Sequence, residues 1–154
     1  LNEVARLAGV GVGTVYRHFP TVEALTAALA EGAVERLRDL AREAERRSES
    51  EPGEAVADLV RGGLGLQLED AGLQTVLLAD ADAIPEAAAI RDEVLAAATR
   101  VLERARAAGV VRPDLTLARL QHLVCGLEYA ARLGTPDDGE LFLEVALAGI
   151  RPDL

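Results

Sequence analysis

The chain has 154 residues, with 16 Lys and Arg against 26 Asp and Glu and a net charge of -10, long enough for one sizeable core or for a small module on a larger one. Half of it is hydrophobic yet only 3% is aromatic, with Ala, Leu and Val dominant, which favours an all-α protein and excludes a β-rich one. A single Cys excludes an intrachain disulfide, and no segment reads as a signal peptide or bilayer span, so a cytoplasmic location without membrane contact is expected.

At the start, Asn2 is placed to cap a short helix bearing Val4, Ala5 and Ala8, which Gly9 ends as a left-handed cap. A tight turn follows, with Val10 just outside a second helix in which Val15 and Phe19 lie one turn apart. Two helices joined by a short Gly-containing turn form a helix-turn-helix, whose second helix enters the DNA major groove. The stretch Gly9, Gly11, Gly13 is no phosphate loop, since no strand precedes it and no Lys follows.

Thr21 then caps a long helix with Glu23 in its first turn and a stripe of Leu25, Leu29, Ala33, Leu37, Leu40 and Ala44 running to about Arg47. Residues 48–53 (Ser-Glu-Ser-Glu-Pro-Gly) break it and mark a boundary, dividing the chain into 1–47 and 48–154. Behind it the spacing predicts helices over Glu54 to Glu69, Leu73 to Ala79, Pro85 to Ala108, Thr116 to Leu133 and Asp137 to Ile150. Up to Arg47 there are 7 basic and 7 acidic residues, whereas Ser48 to Thr99 holds 11 acidic against 2 basic. The leading end is neutral, and the acidity that would repel a polyanion sits behind it.

Val4-Ala5, Ala8-Gly9-Val10, Gly13-Thr14-Val15-Tyr16, His18-Phe19 and Thr21 with Glu23 together resemble the helix-turn-helix signature of the tetracycline-repressor (TetR) family of bacterial transcription regulators. Gly11 stands where that family usually has Ser, and Val22 where it often has a phosphate-binding Lys. The resemblance implies a further helix ahead of Leu1, an operator-DNA partner, a homodimer, and a small-molecule effector that releases a repressor from its operator. It implies no cofactor. Val12 and Thr14 are then candidates for base edges, Tyr16, His18 and Thr21 for phosphates, and Arg17 for either.

In the rear part, His122, Cys125 and Tyr129 fall at i, i+3 and i+7 on an otherwise apolar helix, with Gln121 and Glu128 beside them, the composition of a small-molecule pocket. Leu59, Leu66, Leu77, Val94 and Val101 are candidate apolar walls. The last two helices are apolar around much of their circumference, and Leu123, Gly126, Leu127, Ala130, Leu141, Val145 and Gly149 are candidates for a two-fold interface, with completion of a monomer core as the alternative. Two His in different parts of the chain and one Cys make no zinc shell, and no nucleophile, base and orienting group are set together, so neither a metal site nor an enzyme is expected. A helical adaptor that binds protein remains the rival reading.

Overall fold

The computed structural model describes residues 1–78 and 85–152, and among these it contains eight α-helices and no strand. They are α1 (Asn2–Ala8), α2 (Val12–His18), α3 (Val22–Arg47), α4 (Pro52–Glu69), α5 (Gly72–Leu78), α6 (Pro85–Ala107), α7 (Leu117–Leu133) and α8 (Pro136–Gly149). Ala79, expected to close α5, lies outside the described residues.

Local chemistry sets most of these ends. Gly9 and Gly109 both sit at φ 68°, where a Cβ is strained, and each closes its helix in the same way. Gly9 N–H donates to Arg6 O and Val10 N–H to Ala5 O, while Gly109 N–H donates to Arg106 O and Val110 N–H to Ala105 O. Thr21 Oγ1 accepts from Ala24 N–H at 3.1 Å and Thr116 Oγ1 from Arg119 N–H at 3.2 Å, each satisfying a donor that the helix start leaves free. At α8 the Asp138 carboxylate reaches back to accept from both the Thr135 N–H (2.7 Å) and its hydroxyl (2.8 Å). Those bonds, the backbone one first, hold the Asp138 carboxyl below its ordinary value.

Three ends differ from expectation. Leu1, not Asn2, is the N-cap of α1, and no side chain bonds there. Phe19 is the C-cap of α2 at φ −130°, because Pro20 directly behind it disfavours helical backbone. Pro52 begins α4 rather than breaking the chain, its missing N–H and fixed φ suiting a first helical position, so the break is only four residues, 48–51.

The interior is built from Ala, Val and Leu in two clusters. One gathers Val56, Val60, Leu64, Val101, Leu102, Leu120, Val124 and Ile150 from α4, α6, α7 and the end of α8. The other joins Ala30, Ala33, Val34, Leu37 and Ala41 of α3 to Leu73 and Val76 of α5 and Val94 and Ala97 of α6. The alanines let α3 and α6 lie close, and Leu59 of α4 packs against both clusters. Most of α3 thus belongs to the body by packing, although it begins beside α2.

Charged straps hold these helices on the outside. Arg100 grips the Glu45 carboxylate with two bonds (2.5 and 2.9 Å), and this pairing holds the Glu45 carboxyl below its ordinary value. Arg104 Nη1 donates to Glu45 O at 2.9 Å and to Ser48 Oγ at 2.8 Å, tying α6 to the carbonyl end of α3. Across the loop, Arg47 bridges Glu51 (2.8 Å) and Asp58 (2.5 Å).

Candidate functional site

The leading two helices are small and thinly packed. Each has seven residues and one buried side chain, Ala5 in α1 and Val15 in α2. Gly11 opens α2 with no side chain to cap it, the direct consequence of Gly where a hydroxyl residue would accept a backbone N–H. All six candidate DNA contacts, Val12, Thr14, Tyr16, Arg17, His18 and Thr21, are exposed. Val15 faces in, Phe19 is half-buried, and its ring lies 6.4 Å from that of His18. The Thr21 hydroxyl oxygen is used by Ala24 N–H, which leaves its hydrogen to donate. Arg6 is paired with Glu3, so Arg17 is the guanidinium of this region without a carboxylate partner among the described residues.

Behind this head, a cavity of about 90 Å³ opens where the two apolar clusters meet. Five helices line it: Leu37 of α3; Leu59, Val60, Gly63 and Gln67 of α4; Leu77 of α5; Val94, Leu95 and Ala98 of α6; Leu117, Leu120, Gln121 and Val124 of α7. A second cavity, about 300 Å³, lies at the junction of head and body, bordered by His18, Phe19, Pro20, Val34 and Ile90 among others. Ile90 and Val94 are one turn apart on α6, and Val34 and Leu37 one turn apart on α3, so these two helices border both spaces.

Residues 51–152, from α4 to the end of the described chain, match the family model described as "Transcriptional regulator SbtR-like, C-terminal domain". The chain belongs to the TetR family of transcriptional regulators. No curated protein resembles it closely enough to count as a match. Among the described residues of this TetR-family chain, no helix is long and apolar enough to cross a membrane and no cluster of His, Cys, Asp or Glu suits a metal ion.

Of the pocket candidates read from sequence, Leu59, Leu77, Val94 and Gln121 border the smaller cavity. The others do not. Leu66 packs on the α3–α5 cluster and Val101 is buried in the other, each a core residue short of the opening. His122 and Tyr129 are exposed on the outer side of α7 and Cys125 is half-buried, because the cavity takes the face carrying Leu117, Leu120, Gln121 and Val124, about 100° round the helix. Glu128 is 5% exposed but paired with Arg132, whose Nη2 also donates to Gln67 O at 2.8 Å and caps the carbonyl end of α4. Gln67 itself was hidden in the sequence, a lone amide inside the apolar run of α4.

On the α7–α8 surface, Gly126, Leu141, Val145 and Gly149 are exposed and Ala130 is half-buried. Leu127 is buried in the monomer interior, and Leu123 is half-buried against it. The outer stripe instead includes Tyr129, 65% exposed, and Leu133, 73% exposed, which continue Gly126 at helical spacing. No Cβ neighbour lies within 4 Å at Gly126 or Gly149, leaving both backbones open to approach.

Proposed function

We propose that this TetR-family protein is a homodimeric repressor that reads operator DNA through α2 and lets go when a small molecule enters the body. The observation that carries the reading is a pairing: a regulator-type body joined to a seven-residue helix on which the candidate contacts Val12, Thr14, Tyr16, Arg17 and His18 are all exposed. In this reading residues 1–47 form the DNA-reading part and connecting helix, and 48–154 the effector and dimerisation part. Val12 and Thr14 meet base edges near the start of α2, Tyr16, His18 and Thr21 meet phosphates, and Arg17 takes either role.

One head covers one half-site, and a second copy supplies the other about one helical turn away. Its natural seat is the outer α7–α8 stripe of Tyr129, Leu133, Leu141 and Val145, an exposed apolar face that two copies cover together in a four-helix contact. Coupling runs through α3 and α6, the two helices that border both cavities. A molecule that fits the body better when the two heads are misaligned with the half-sites shifts the population to that state and frees the operator.

Selection of genomic fragments by the protein, followed by competition against shuffled duplex at several salt concentrations, tests the reading. Selective binding by two copies is expected. Affinity that depends on salt but not on sequence, or a complex with one copy, rejects it and favours the adaptor reading.

A further inference from the structure

This inference rests on reading the body as an effector domain and specifies what enters it. Among the described residues the five-helix cavity has no charged residue in its wall, and Gln67 and Gln121 are the polar side chains that border it. Gln121 is committed, its Nε2 donating to Leu77 O at 3.2 Å in the last turn of α5. Gln67 is not. It is 3% exposed, and its Oε1 is buried with no hydrogen-bond partner. Its backbone is meanwhile fixed, since Arg132 holds the Gln67 carbonyl.

A buried acceptor without a donor is uncommon in native interiors and signals an absent partner or a strained site. Water is a poor partner here, because it needs two to four polar neighbours and the described wall adds to Gln67 only Gln121, already bonded to Leu77 O. A carboxylate or an ammonium set against this wall would lose part of its hydration and find no counter-charge among the described residues. An uncharged molecule with an apolar body and one donor loses little on entry and satisfies the orphan acceptor. The terminal torsion of a Gln side chain is soft, so Oε1 can turn to the cavity while α4 stays still.

Size narrows the class further. A space of about 90 Å³ is smaller than the apolar cavity of about 150 Å³ that encloses benzene, but it opens to solvent, so it seats a single small ring or a short branched chain with part of the occupant at the mouth. We propose that the effector is a small neutral hydroxyl compound, a phenol or a compact alcohol, whose O–H donates to Gln67 Oε1 with its hydrocarbon part between Leu59, Val94 and Val124.

The test uses phenol, toluene, benzoate and benzylamine as probes, with calorimetric affinities for the wild-type protein and for Gln67→Leu and Gln67→Met. Both variants keep the volume and remove the acceptor, and the second guards against a packing fault in the first. Phenol and toluene are expected to bind and the two ions not. The ratio of phenol to toluene affinity is expected to fall about five- to tenfold in both variants, the value of one neutral hydrogen bond. An unchanged ratio, benzoate or benzylamine binding as well as phenol, or no binding of phenol and toluene at millimolar concentration overturns the proposal. Operator binding of the probe-free protein is followed in the same series. Its absence strikes the DNA-reading proposal, whereas a flat ratio with operator binding intact strikes the Gln67 assignment alone.

Discussion

Head and body of this chain are built to opposite standards. The body shields two clusters of side chains, including Leu73 and Leu102 at 1% exposure or less, and braces them with Arg–carboxylate straps. The head rests on Ala5 and Val15, in helices too short to persist alone in water. Around that small core, Leu7 (74% exposed) and Leu29, two turns into α3 (74%), stand uncovered. With so few side chains buried in α1 and α2, local opening is expected to be cheaper there than behind them. The two regions nevertheless share α3, which ties the loosely held α2 to a firmly held core.

The comparison is broken or sharpened by substitution. Leu102→Ala removes a fully buried side chain of the body and is expected to cost about 3 kcal/mol, lowering the thermal midpoint of the whole protein. Gly9→Ala is expected to cost about 1 kcal/mol at φ 68° and to act on the head alone. DNA affinity should drop while the main melting transition stays in place; a shift of that transition as large as that of Leu102→Ala would mean that head and body unfold as one unit. Tyr16→Phe and His18→Ala should leave melting unchanged and weaken DNA binding several-fold, Tyr16→Phe with the salt slope intact because its hydroxyl is uncharged, whereas Arg17→Ala should lower that slope by about one if Arg17 meets a phosphate.

The smallest effect is expected at Asp138. Its folded-state carboxyl titrates below the ordinary value of 3.8, so its contribution is full above that pH and fades as pH falls through the lower folded value. Asp138→Asn should lower the melting temperature slightly near neutrality and flatten its fall in acid. Equal acid sensitivity in both proteins would show that the Thr135 contact adds nothing to stability.

What could be read in the sequence follows from the distance over which each feature is assembled. The α1–turn–α2 unit depends on neighbours in the chain: Gly9 at a left-handed cap, Val15 facing in, Thr21 capping α3. These are local requirements and local residues reveal them. The end of α2 escaped because Pro20 acts on the residue before it, and the start of α4 because Pro52 reads equally as a stop or a first residue.

The cavity is a different kind of object. It is the seam left between two clusters by small residues such as Gly63 and Ala98, on five helices that no periodicity brings together. His122, Cys125 and Tyr129 stood out on α7 because they differ from an apolar background. That contrast marks a face without telling whether the face looks in or out. Gln67 carried the more useful signal, one amide in the apolar stretch from Gly62 to Leu68, whose meaning appeared only with its burial and its unpaired oxygen.

The division of labour is tested most directly by amide hydrogen exchange on the protein alone, with a selected genomic duplex, and with the same duplex shuffled. Fast exchange over residues 2–21 in the free protein is expected, with new protection there on the selected duplex and none on the shuffled one, while α4 and α6 remain protected throughout. Protection that builds on α7 and α8 instead, or appears equally with both duplexes, would contradict a DNA-reading head carried by a stable sensing body.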